Sequence, residues 1–385
     1  MIALSTGMTR HRERLDGMTP PGLQDMEGPS TPCVESSVLG AFVMPRLDRR
    51  IGSQDVLEMT IADDTVAVHA PAWLGVGAST RSLFDHVIHL PETADRHPDD
   101  LSDDELDEFS ALLVEAGIRH VVLSGGDLAQ LRLANLLRRQ RPAIRCDVIW
   151  HSSFVQFRED AQWESFKAIL RAADEGTITK IGVLKKGMDQ LLRTRGYAAE
   201  LLYNHVPHLP AVASHPGDGA FRVGIWPSNV NYRKLPHAML AALAQVPGVK
   251  LEAANLDDRC RELIDLLGLD TGGISSRLLD HEVLLDRIRA THLTLSVTFS
   301  EACPMLPLES YSLGVPCLIG PTSHLFEDDD YLRERSIVPF PDRADVIAEY
   351  TRRALDERTE LVDAYRSWAP TYNRRARAAV RSFLA

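Results

Sequence analysis

Two glutamates, Glu301 and Glu309, flank the apolar loop Ala-Cys303-Pro304-Met305-Leu306-Pro-Leu, and the run Leu-Gly314-Val-Pro316-Cys-Leu-Ile follows them. Carboxylates placed this way can accept hydrogen bonds from neighbouring hydroxyls. Well upstream, Arg233 and Lys234 close the loop Pro227-Ser-Asn229-Val-Asn231-Tyr-Arg233-Lys234. Paired cations at the start of a helix can neutralise phosphate while backbone N–H groups point at it. A lone histidine, His151, follows the apolar stretch ending in Ile149-Trp150.

These groups need elements to carry them. The apolar runs predict a strand over Leu293–Val297, a loop holding Glu301, and a helix beginning near Pro307 with Glu309 in its first turn. Gly314 closes that helix and a short buried strand Pro316–Ile319 follows, as expected of a glycine past a helix end with proline beyond it. An acid in a first helical turn has a plain explanation, since it complements the helix dipole. Glu301, in a loop just past a strand, has less of one. Ligands of open α/β sheets bind outside the strand carboxyl ends. Around the cations the pattern predicts strand Phe221–Trp226, helix Leu235–Gln245 and strand Val249–Ala254.

Glu301-x7-Glu309 followed by Ser-Tyr-Ser-Leu-Gly-Val-Pro-Cys-Leu-Ile resembles the E-x7-E signature of retaining GT-B glycosyltransferases of the family 4 type. The resemblance implies an α/β protein with the GT-B arrangement, two Rossmann-like domains facing a central cleft. It implies transfer of a sugar from a nucleotide-diphosphate sugar to an acceptor hydroxyl, with retention, without a metal and with no cofactor beyond the donor substrate. In such enzymes the second Glu, here Glu309, grips the ribose, while Glu301 and the loop Cys303, Pro304, Met305 and Leu306 hold the donor sugar. The 227–234 segment is similar to the family's G-R-x-x-x-x-x-K, with Lys234 in the Lys position, Ser228 where Arg is usual, Arg233 as its substitute and Asn229 beside them. Leu278-Leu279-Asp280-His281 resembles the passage that touches the base, so Leu279 and His281 are base-binding candidates. His151 weakly resembles the histidine beside the donor's reacting carbon. Pro304, where the family has a flexible glycine, lacks an N–H to donate.

The first half alternates strands with helices, the mark of parallel βαβ winding. Strands are expected at Val38–Val43, Thr65–His69, His86–Leu90, His120–Leu123, Asp147–Trp150, Lys180–Val183 and Ala199–Tyr203. Ser102-Asp-Asp-Glu105 reads as a capping box. Pro71-Ala-Trp73-Leu-Gly75-Val-Gly77-Ala-Ser79 reads as a glycine-rich turn, and no G-x-G-x-x-G dinucleotide fingerprint is present. The expected organisation is a leader over 1–36, an acceptor-binding domain over 37–206, a linker over 207–220, a nucleotide-sugar domain over 221–365, and a helix over 366–385 crossing back to the first domain. Ser367-Trp368-Ala-Pro370 marks its expected kink.

With 385 residues the chain suits two domains. Its net charge of −12 argues against polyanion binding as its main business. The five cysteines form no C-x-x-C pair, which fits a reducing compartment and offers no metal signature, and Asp328-Asp-Asp330 follows an apolar helix-like stretch where a metal-binding D-x-D would follow a strand. No apolar run is long enough to span a membrane, so a cytoplasmic enzyme is expected. An NAD-type Rossmann oxidoreductase is disfavoured for want of the glycine fingerprint, and two other rival readings stand beside the glycosyltransferase. One is a nucleotide-sugar-binding protein without turnover. The other is a nucleic-acid-modifying glycosyltransferase, with Arg132, Arg138, Arg139, Arg141, Lys185 and Lys186 as its basic face.

Overall fold

The structure, a computed structural model, describes residues 64–70, 74–91, 100–209 and 219–385. The expected leader, the expected strand Val38–Val43 and most of the expected linker lie outside the described residues.

Two parallel sheets organise the chain. The first joins β1 (Thr65–His69), β2 (Val87–His89), β3 (His120–Ser124), β4 (Arg145–Trp150), β5 (Ile181–Val183) and β6 (Ala199–Leu201) in the order β2-β1-β3-β4-β5-β6. The second joins β7 (Phe221–Ile225), β8 (Val249–Ala254), β9 (Thr271–Ser275), β10 (Leu293–Ser296) and β11 (Cys317–Ile319) in the order β11-β10-β7-β8-β9. Every pairing is parallel, from Val122 opposite Asp147 in the first sheet to Leu295 opposite Leu318 in the second. Helices cover the strands, which is why β1 and β3 carry central apolar runs and why β1, β3 and β10 are all buried along their length.

Local sequence explains the helix starts. Ser102 caps the helix Asp103–Glu115 in a reciprocal box with Glu105, Asp127 caps Leu128–Gln140, and Asp257 caps Asp258–Leu267. The long helix Arg358–Leu384 runs through Pro370 without ending there. Its first half packs Leu361, Tyr365 and Trp368 among second-sheet residues, and its last turn reaches the first sheet. There Arg145 donates to the Leu384 carbonyl at 2.9 Å and to the Phe383 carbonyl at 3.0 Å, and Lys180 donates to the Ser382 carbonyl at 3.1 Å. One apolar cluster therefore runs from Ala67 and Ile149 through Phe383 and Tyr372 to Leu295 and Leu318.

Three local expectations are corrected. The glycine-rich stretch Gly75–Ser79 is not a turn but part of the helix Leu74–Leu83. Continuous i→i−4 hydrogen bonding tolerates both glycines because the helix packs on β1 and a side chain at Gly77 would crowd its neighbours. The helix carrying Glu309 begins at Met305, so Glu309 lies beyond a first turn that contains no acid. Strand β9, with two glycines in its middle, carried no apolar signal and escaped the sequence reading.

Candidate functional site

The loops that matter leave the carboxyl ends of the strands. After β10 the chain passes Phe299 and Ser300 to Glu301, and after β7 it runs to Arg233 and Lys234. The Phe299 N–H donates to the Arg233 carbonyl at 2.7 Å, which ties the two loops together. Glu301 then meets both cations. Its carboxylate accepts from Lys234 Nζ at 2.5 Å and from the Arg233 guanidinium at 3.2 Å. Arg233 is buried, and among the described residues its Nε has no hydrogen-bond partner. Gly320, just past β11, sits so close to this loop that an added Cβ would lie 1.8 Å from the Thr298 carbonyl oxygen. Only glycine allows that approach.

One helical element further on, Glu309 is buried and accepts from His281 Nε2 at 2.7 Å. Among the described residues no hydrogen bond engages its second carboxylate oxygen. The hydrogen bond that His281 donates to Glu309 outweighs burial and raises the His281 pKa above the usual imidazole value. The facing cation comes from the first sheet's side. Arg81, on the helix Leu74–Leu83, lies near enough for its charge to act on both Glu309 and His281; burial lowers its pKa and the Glu309 charge opposes the change. Gly77 makes room for this arrangement, since a Cβ there would stand 3.0 Å from the His69 ring and 3.3 Å from the Arg81 guanidinium.

His151 follows β4. Its Nε2 bonds the Ser124 hydroxyl at 2.8 Å, and Ser124 in turn bonds the Thr80 hydroxyl at 2.6 Å. Burial, with the His69 charge adding to it, pushes the His151 pKa down to about 3, so the ring is neutral near pH 7. It is a polar group held ready, not a cation.

Several bridges close the two sheets on each other. Asn204 is 1% exposed, accepts from Ser79 and donates to the Cys303 carbonyl at 2.6 Å. Ser300 donates to Ser153 at 3.0 Å, which sets the loop after β4 against the loop carrying Glu301. Tyr232 donates to the Val155 carbonyl at 2.7 Å under the Arg158 guanidinium. Lys185 donates to the Glu301 carbonyl at 2.8 Å and to the Thr322 carbonyl.

The structure thus brings Glu301, Arg233 and Lys234 into one cluster, and Glu309 and His281 into a second. Other candidates fall elsewhere. Asn229 is exposed on its loop, and Leu279 packs beside Trp226 and Leu285. The Cys303 side chain turns inward, its Sγ 3.5 Å from the Tyr372 hydroxyl, so only its backbone faces outward contacts. Pro304 precedes the helix and provides no side-chain cap, which leaves the first-turn N–H groups without one. Met305 packs against the main core and Leu306 against a smaller cluster. Glu301 stands in ion pairs, and neither of two surface hollows, one around Leu243 and Leu267 and one around Arg358 and Val362, is lined by these residues.

Arg81, His69 and Asn204 were missed as site residues. They sit on three separate stretches of the first half, and only Gly77, a glycine inside a helix, hinted at a close approach. The supposed basic face is largely committed within the chain. Arg132 pairs with Asp103, Arg138 bonds the Pro142 and Ile144 carbonyls, Arg141 that of Ile118, and Lys186 pairs with Glu327. Among the described residues, no helix is long and apolar enough to cross a membrane.

No protein-family model matches the chain, and no curated protein does. Solved structures do. The sucrose-phosphate synthase of Thermosynechococcus elongatus superposes with a TM-score of 0.55 at 15% identity, over 83% of this chain and 95% of that one. HepE of Anabaena, solved with UDP and glucose, gives 0.56 at 12% identity over 83% and 99%. A trehalose-6-phosphate protein of E. coli bound with UDP-2-fluoro glucose gives 0.54 at 12% over 83% and 99%. At such identities the likeness is one of fold, and the fold is GT-B, two Rossmann-like domains of parallel sheet and covering helices.

Proposed function

We propose that the protein is a glycosyltransferase that moves a sugar from a nucleotide-diphosphate sugar to an acceptor hydroxyl, with retention and without a metal. The observation that carries this reading is the cluster of Glu301, Arg233 and Lys234 at the strand carboxyl ends of the second sheet, held against the loop after β4. In the proposed complex the diphosphate takes over Arg233 and Lys234, aided by the uncapped N–H groups at the start of the helix Met305–Ser312. Glu301, released from its cations, turns to the sugar hydroxyls. The free oxygen of Glu309 accepts from the ribose, and His281 and Leu279 border the base. The cations stabilise the charge that builds on the leaving phosphate, which is the main catalytic contribution. His151, neutral, would donate or accept a hydrogen bond at the reacting carbon without bringing charge.

The proteins of similar fold solved with UDP and glucose and with UDP-2-fluoro glucose support a nucleotide-sugar donor. A nucleic acid acceptor fits less well, because the candidate cations on the first half bond within the chain. Calorimetry with UDP-, GDP- and ADP-sugars, paired with a hydrolysis and transfer assay, tests the proposal. Binding of one donor with slow hydrolysis, abolished by Lys234→Ala, is the expected result. Binding with no turnover under any acceptor screen favours a sensor or scaffold, as Pro304 and Ser228 would allow. Absence of binding to every nucleotide sugar sinks the reading.

A further inference from the structure

Away from the glutamates, three side chains with metal-ligating atoms converge on the second sheet's helical layer. His237, Asp257 and Cys260 bring Nε2 or Nδ1, a carboxylate oxygen and Sγ within 4.8 Å of one another. They come from two neighbouring helix starts. His237 is the second residue of the helix Pro236–Leu243, Asp257 caps the helix Asp258–Leu267, and Cys260 lies in that helix's first turn. Cys260 is fully buried, whereas His237 and Asp257 are exposed.

We propose that this trio binds a thiophilic divalent cation of the Zn2+ type, with water in the fourth position. The distance supports it. Metal–sulfur and metal–nitrogen bonds of about 2.3 and 2.0 Å at a tetrahedral angle place the two ligand atoms roughly 3.5 Å apart. Cys260 Sγ and His237 Nε2 stand 3.6 Å apart. Asp257 uses one oxygen to accept the Cys260 N–H at 2.8 Å, which leaves the other for the metal. Soft sulfur with imidazole and carboxylate selects zinc-like ions over magnesium or calcium, which prefer all-oxygen ligands. On binding, the S–H bond breaks, the sulfur–metal bond forms, and the proton leaves to solvent.

The position gives the site a consequence. His237 stands three residues past Lys234, and Asp257 two past Asn255, whose side-chain amide donates to the Ser228 carbonyl at 2.8 Å. A bound ion therefore pins both loops that flank Arg233 and Lys234 and orders them without touching a ligand there.

Cobalt titration of untagged, metal-stripped full-length protein provides the test. The expected result is one equivalent of Co2+ bound with a thiolate-to-cobalt charge-transfer band, one proton released per ion, and displacement by Zn2+. Cys260→Ser should abolish the band. The surface substitutions His237→Ala and Asp257→Asn, the latter keeping a good helix cap, should each weaken binding at least the roughly 10–100-fold that losing even an outer-shell partner costs. No stoichiometric uptake, or uptake without a thiolate band, overturns the proposal. So does unchanged affinity in folded His237→Ala protein, which would leave an ordinary thiol–imidazole contact.

Discussion

His281 and His151 stand on opposite sheets of one fold, each just past a strand or at a helix start, and their surroundings drive them in opposite directions. His281 faces a buried carboxylate and holds its proton more tightly than usual. His151 faces a hydroxyl chain and loses its proton to burial. The same contrast runs through the rest of the two faces. The second sheet presents ionic pairs, Glu301 with Lys234 and Arg233, and Glu309 with His281. The first presents neutral hydrogen bonds among Thr80, Ser124 and His151, with partly buried cations at Arg81 and Lys185. One face is built to hold charge and the other to position hydroxyls. Under the proposed function, that is the division of labour expected between an anionic donor and an acceptor hydroxyl.

Breaking the charged face should have the largest effect. Lys234→Ala and Glu301→Gln are each expected to cut transfer by about 10²–10³-fold, the cost of removing one preorganised electrostatic group, with the thermal transition retained. Near-normal turnover in both would remove the distinction between the faces. Next comes the seam between them. Asn204→Ala strips partners from Ser79 and from the Cys303 carbonyl, and should cost about 1–3 kcal/mol of stability in denaturant unfolding. Arg81→Ala should lower kcat/KM roughly tenfold, about 1.4 kcal/mol, because its charge acts on Glu309 across the seam. An unchanged kcat/KM there would confine the chemistry to the second sheet.

The smallest effects are in pH dependence, and their signs differ between the faces. His281 has its pKa raised in the folded state, so its contribution to stability is fully present below the ordinary value of 6.5 and is lost as pH rises through the folded pKa. His151 and His324, both pushed down to about 3 by burial, do the reverse. The unfolded chain takes up protons that the folded chain refuses, so stability falls as pH drops from 6.5 towards 3. Tm measured from pH 5 to 8 should show the wild type losing its advantage over His281→Gln as pH rises. It should show His151→Gln less acid-sensitive than the wild type. A common pH slope in all three proteins would refute the opposed titrations.

How far the sequence reached differs between the halves for a physical reason. In the second half, Glu301, Arg233 and Lys234 lie in two short loops whose strands are adjacent in the sheet, β10 beside β7, and Glu309 lies on the helix that follows one of them, so nearness in pattern became nearness in space. In the first half, Arg81, His69, Ser124 and Asn204 leave different strands and helices, and no spacing in the chain announces their meeting. Gly77 reads as a turn residue until the helix around it is seen to press on His69.

The residues alone determined the parallel α/β winding, through apolar runs of strand length alternating with capped helices, because those periodicities are local properties of the backbone. They also determined that Glu301 and Lys234 carry complementary charge. Only the tertiary structure decided that the two touch, that Glu309 takes His281, that Cys303 turns its sulfur inward, and that His237 reaches Cys260. Each of those depends on how one packed layer is set against another, and contacts across layers leave no period in the chain.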